Sequence, residues 1–184
     1  MTRSKLQTTT ICSFPKPDFL PIRDWFDAAR REGSMNSPKT TKNFTNYSET
    51  NTDYEALFVQ AAERIISLQI KAGVDIPTDG EVRRENYIHY HCRHLNGFDF
   101  QQLEHRVLRD WAYETGLAAI RSQIQHVGSL TRFGILRLFR LFPVGIKFTI
   151  PSPLTIMDTN ADCFYQDRKR LAEDLAKNFK FRDS

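Results

Sequence analysis

Apolar residues recur at Tyr54, Leu57, Phe58, Ala61, Ala62, Ile65, Ile66 and Leu68, close to the 3.6-residue period of a helix. This spacing predicts a helix over residues 53–72 with a buried face. Thr52 or Asp53 can cap its start, and Gly73 can take the left-handed position beyond its end. The helix runs directly into a short apolar stretch, Val74–Ile76, which reads as a strand and breaks at Pro77. Two other stretches have strand character: residues 6–14, L-Q-T-T-T-I-C-S-F, ending at Pro15, and residues 145–150, G-I-K-F-T-I, ending at Pro151-Ser152-Pro153.

Weaker patterns fill in the rest. Residues 22–31 predict a short helix ahead of Gly33. The His- and Tyr-rich segment after Glu81 predicts a helix closed by Gly97, and Phe98-Asp99-Phe100 begins another strand. Residues 107–123 read as a helix, 154–160 as a loop, and 161–179 as a helix with Asn160 or Thr159 at its N-cap. Between Ser34 and Thr52 the composition shifts to Ser, Thr, Asn and Lys without periodicity, which predicts a mobile surface loop.

Helix followed at once by strand implies repeating α/β units in a single domain spanning residues 1–184. Three loops then follow three strands: Cys12-Ser13-Phe14-Pro15, Asp79-Gly80-Glu81 and Pro151-Ser152-Pro153. In a parallel sheet or barrel such loops meet on one rim, where ligands bind. Glu81 is therefore the first residue to weigh as functional.

Composition narrows the partners. The chain of 184 residues is 40% hydrophobic and 26% charged, an ordinary globular balance. A net charge of +4 does not single out nucleic acid, and no stretch is apolar enough for a membrane span. The three cysteines, Cys12, Cys92 and Cys163, are scattered and lack CxxC spacing, which fits a reducing, cytoplasmic setting. No apolar stretch follows Met1-Thr2-Arg3, so no signal peptide is expected, and the sequons at Asn43 and Asn46 are expected to be silent.

Four stretches carry a resemblance: T-T-T-I-C-S-F-P (8–15), G-V-D-I-P-T-D-G-E-V-R-R-E-N-Y (73–87), C-R-H-L-N-G-F (92–98) and K-F-T-I-P-S-P-L-T-I-M-D (147–158). In order and spacing they resemble the C-terminal catalytic domain of cobalamin-independent methionine synthase. The resemblance implies a partial (β/α)8 TIM barrel, roughly its first half. It also implies the family's reaction, methyl transfer from a 5-methyltetrahydrofolate-type donor to the thiol of homocysteine, which a zinc ion holds as thiolate. By position, Ile11, Ser13 and Glu81 match family residues that bind the amino-acid end of homocysteine. A carboxylate can pair with the substrate ammonium, and a hydroxyl can hold its carboxylate.

Departures from the pattern qualify that picture. Cys12 and Ser152 stand where the family has glycine, so their side chains are expected to crowd a ligand. Residues 126–142 diverge altogether; their Arg132, Arg137 and Arg140 also admit a basic surface helix, though Gly134 and poor periodicity count against it. The family's zinc ligands, a His-x-Cys pair, a glutamate and a second cysteine, lie on later strands and find no match here. His89, His91, Cys92 and His94 are zinc-binding types, but on a helix no three of them converge. A barrel needs roughly 250 residues, so the expectation is an incomplete member that keeps part of the homocysteine site, binds no zinc and is inactive alone. Rival readings are a non-catalytic amino-acid- or pterin-binding protein, or an interaction protein that self-associates through an open barrel edge.

Overall fold

The period over residues 53–72 is realised as helix α1, Thr52–Lys71. The computed structural model describes residues 6–11, 13–20, 22, 52–108, 113–126, 142 and 145–178. Helix 22–31 (beyond Ile22), loop 34–52 (but for Thr52), Cys12 and most of the divergent 126–142 segment lie outside the described residues. The side chains of Thr52 and Asp53 do so as well. The chain divides into two compact units, one drawn from Met1–Asp24, Tyr47–Arg84 and Thr131–Thr149, the other from Trp25–Asn46, Glu85–Leu130 and Ile150–Ser184.

In the first unit α1 buries Phe58, Ala61, Ala62, Ile65 and Ile66, as its period predicts, while Leu68 is exposed. The helix ends as the sequence indicates. Gly73 has φ +85°, its N–H reaches Ile70 O, and Val74 N–H reaches Gln69 O, each at 3.0 Å. This pair of bonds is a Schellman closure, which satisfies the last carbonyls of the helix. The three segments read as strands run side by side as extended chain, joined by single parallel bridges, Thr9 to Ile76 and Thr78 to Lys147. Ile76 N–H donates to Thr8 O at 3.0 Å and Lys147 N–H to Pro77 O at 2.8 Å.

One polar side chain ties helix to strand. Gln69 is buried on the face of α1 where an apolar residue would be expected. Its Oε1 accepts from Thr78 N–H at 3.0 Å and from Thr10 Oγ1 at 2.7 Å. Its Nε2 donates to Thr78 O at 2.8 Å and Ile65 O at 3.2 Å. The amide thus acts as a strand partner for Thr78.

The second unit is built on an antiparallel hairpin, β1 (Leu95–Leu108) and β2 (Tyr113–His126), with β3 (Ala161–Asp162) parallel to β2. This corrects the helix expected over 107–123. Leu117, Ala118, Ala119 and Ile120 are buried in succession, so both faces of β2 are covered there and no alternation marks a strand. Pairing with β1 overrides the helix propensity of Ala, Leu, Arg and Gln. Gly97 is likewise no helix terminus. It lies at a register shift in β1 with φ +100°, and a Cβ there would stand 2.8 Å from Ser122 O.

Only four residues of the His-rich segment are helical, α2, His89–Cys92. The expected loop after Pro153 is helix α3, Pro153–Thr159, started by Ser152, whose Oγ accepts from Thr155 N–H at 3.1 Å. Proline at the first helical position suits that start. The expected helix over 161–179 begins later, as α4, Arg168–Asn178, where Asp167 Oδ1 accepts from Lys169 and Arg170 N–H at 2.9 and 3.2 Å. Asn160 and Thr159 therefore end α3 and do not cap α4. Ile120, Ile124, Ile156, Leu171 and Leu175 form the core of this unit.

Side chains close the edge of β2 beyond β3. Tyr165 Oη accepts from Ile124 N–H at 2.8 Å and donates to Asp174 Oδ2 at 2.6 Å. Asn178 donates to Ile124 O at 3.1 Å and accepts from His126 N–H at 3.0 Å.

Gln69→Leu is expected to destabilise the chain by about 2–4 kcal/mol, because it leaves both backbone groups of Thr78 buried without that partner. Urea denaturation checks this; a loss below about 1 kcal/mol would mean that another group takes the amide's place.

Candidate functional site

The strand that leaves α1 ends in a turn built around Glu81. Thr78 Oγ1 accepts from Gly80 N–H and Asp79 Oδ1 from Glu81 N–H, both at 3.2 Å. Gly80 and Glu81 are consecutively left-handed, with φ +68° and +57°. At Gly80 this is the glycine conformation, and a Cβ would stand 2.7 Å from Ile65 Cγ2. At Glu81 a side-chain-bearing residue holds a backbone that costs of order 1–3 kcal/mol, a form of strain that concentrates at functional sites.

The Glu81 side chain is buried, and it has partners. Its Oε1 accepts from Thr149 Oγ1 at 2.6 Å and lies 3.2 Å from Arg84 Nη1. Arg84 also donates to Thr149, from Nη1 to Oγ1 at 3.0 Å and from Nη2 to the carbonyl oxygen at 2.6 Å. Its guanidinium stacks 4.6 Å from the centre of the Phe148 ring. Lys16 Nζ donates to Arg84 O at 2.6 Å, and Lys147 Nζ to Thr10 O at 2.5 Å. No described residue donates to Glu81 Oε2. Asp79 is almost wholly buried beside it, and burial raises its carboxyl above the usual carboxylate range against the opposing pull of Arg84.

Of the residues singled out in sequence, Ser13 and Glu81 each adjoin one hydrogen bond between their loops. Phe14 N–H donates to Gly80 O at 3.0 Å, which fixes the Ser13 loop against the Glu81 turn. Ser13 is exposed, and so is Ile11, at 78%. Cys12 is outside the described residues. Ser152 does not need a glycine's freedom: its φ is −70°, and its hydroxyl starts α3. Sequence reasoning assigned no role to Arg84, Thr149 or Asp79. Arg84 sits one helical turn from Glu81 in G-E-V-R-R, a spacing that suggests an ion pair. Nothing local marks Thr149, which reaches Glu81 from 68 residues away.

The histidine-rich segment does not fit zinc. Cys92 is fully buried and its thiol is pushed well above its ordinary value by burial, next to the opposing influence of Arg93, whereas a metal needs the thiolate. His89 packs edge-on to Phe100 at 5.3 Å, and burial holds its pKa down to about 3. Burial also lowers His94, with His126 adding to the effect. Glu85 is taken up by Arg93 at 2.5 Å. Among the described residues no group of three or more His, Cys, Asp and Glu side chains is disposed to hold a metal ion. Among them, too, no helix is long and apolar enough to cross a membrane.

The raised Asp79 carboxyl has a consequence for stability. A group whose folded pKa is raised favours folding while protonated and loses that contribution as pH rises through the folded value. Asp79→Asn keeps the Oδ1 that accepts from Glu81 N–H and cannot ionise. It is therefore expected to gain stability over the parent as pH rises from about 4 towards neutrality, read as urea midpoints at several pH values. A difference that stays flat with pH would refute the assignment.

Comparison with known proteins places this geometry. The catalytic-domain model of cobalamin-independent synthase matches residues 6–116. Methionine synthase from Saccharolobus solfataricus is 29% identical over 177 residues, covering 94% of this chain and 46% of that protein. The enzyme from Sulfolobus acidocaldarius is 28% identical over 174 residues, covering 94% and 45%. Among solved structures, a B12-independent methionine synthase from Shewanella sp. W3-18-1, in complex with selenomethionine, superposes with a TM-score of 0.74 at 26% identity, covering 95% of this chain and 46% of that one. The chain spans about half the length of the curated relatives it matches. With the family's catalytic-domain pattern running through more than half of its residues, the chain belongs to the cobalamin-independent methionine synthase family.

Proposed function

We propose that this chain binds the amino-acid end of homocysteine at the Glu81 turn, as the acceptor side of methyl transfer from a methylated folate to the homocysteine thiol. The observation that carries the reading is the Glu81 carboxylate itself. It is held on a strained backbone with Oε1 engaged by Thr149 and Arg84, while Oε2 receives no hydrogen bond from any described residue. A strained, buried carboxylate with one open oxygen is suited to a primary ammonium, which offers several donors. Ser13, brought to the same turn by the Phe14–Gly80 hydrogen bond, would hold the substrate carboxylate. Ile11, exposed on the adjoining segment, would lie against the aliphatic part of the ligand. Selenomethionine, bound to the similar Shewanella protein, has the same amino-acid head.

In this reading the parallel bridges Thr9–Ile76 and Thr78–Lys147 are rungs of a (β/α)8 barrel, of which the chain supplies the amino-terminal part. Zinc in the family activates the sulfur. The described residues do not fit that ion, and the sequence contains no His-x-Cys pair. The role of these residues is therefore to bind and orient the acceptor, and the chain does not turn it over by itself. The free thiols of Cys92 and Cys163 support a reducing, cytoplasmic setting.

Calorimetric titration with L-homocysteine under reducing conditions tests the reading. The parent chain is expected to bind, and Glu81→Gln to weaken binding by about tenfold or more. Absence of binding, or equal binding by the variant, would refute it. Elemental analysis of the purified chain is expected to find no stoichiometric zinc; one tightly held ion per chain would contradict the division of roles.

A further inference from the structure

We propose that Thr149 is a positioning residue for Glu81, its hydroxyl and the Arg84 guanidinium together occupying Oε1 so that Oε2 alone faces the ligand. The inference rests on the reading of Glu81 as the substrate-ammonium partner and extends it to a residue 68 positions away. A guanidinium can only donate. Because Arg84 Nη1 donates to Thr149 Oγ1 at 3.0 Å, the single hydroxyl proton is directed elsewhere, and Glu81 Oε1 is its acceptor at 2.6 Å. Arg84 is itself fixed by its second bond, to Thr149 O at 2.6 Å, and by the Phe148 ring. The carboxylate therefore cannot rotate without breaking a closed set of three contacts among Glu81, Arg84 and Thr149. A glutamate on a left-handed backbone has little else to set its side-chain direction, since the turn bonds of Thr78 and Asp79 reach only backbone N–H groups.

A merely structural role would make Thr149 matter equally with or without the Glu81 carboxylate, and a double-mutant cycle separates the two cases. Calorimetry with L-homocysteine compares the parent, Thr149→Val, Thr149→Ser, Glu81→Gln and the Thr149→Val/Glu81→Gln double variant, at concentrations that reach the weakest binder. Thr149→Val is expected to weaken binding by about tenfold to a hundredfold, Thr149→Ser to restore it, and Thr149→Val to cost nothing further once Glu81 is glutamine. Two results would overturn the proposal: Thr149→Val binding like the parent while Glu81→Gln does not, or an undiminished Thr149→Val effect in the glutamine background. If Glu81→Gln itself binds like the parent, the reading of Glu81 as the ammonium partner falls, and this inference with it. Should Thr149→Val fail to fold, Thr149→Cys, close in size to serine and a poor donor, carries the same comparison.

Discussion

The grip of Gln69 on Thr78 is the constraint from which the first unit follows. A helix and a strand that pack together ordinarily share only apolar contacts, which leave them free to slide. Here the amide takes the N–H and the carbonyl of the same residue, and Thr10 as well, so the helix and two extended segments are set in register. Two residues later the chain enters its left-handed turn, and the Thr78 hydroxyl accepts the first N–H of that turn. The position of Glu81 is thus inherited from a hydrogen bond made twelve residues earlier in the chain. Strain at Glu81 persists because what precedes it cannot shift.

Much of this was legible in sequence, for physical reasons that differ by residue. Helix α1 declares itself because its apolar positions keep one period over about four turns, and Gly73 closes it because only a residue tolerant of positive φ fits there. Glu81 stands out because it follows Gly80 at the end of a strand. Gln69 is invisible to a hydrophobic pattern, being polar on a buried face. Thr149 is invisible for another reason: its function lies in a contact distant in sequence, and a threonine in an extended segment has no distinguishing neighbours.

The regions where sequence and structure differ have two causes, a lost alternation and displaced helix caps. In β2 four successive buried residues hide the two-residue period, and a run rich in Ala, Leu and Gln then looks helical. Around residues 153–168 the capping signals were present but attached to the wrong elements. Ser152-Pro153 starts a helix and Asp167 starts the next, whereas Asn160 and Thr159, the expected N-cap residues, end the first.

The closure of β2 by Tyr165 and Asn178 bears on how the second unit assembles during synthesis. The two strands of the hairpin can pair as soon as they emerge, since their contacts are nearly adjacent in the chain. The far edge of β2 cannot be completed then, because its partners lie 41 and 54 residues downstream of Ile124. At roughly 5–20 residues per second a nascent hairpin waits seconds with a row of bare peptide groups exposed. That interval is when another nascent chain could add to the same edge.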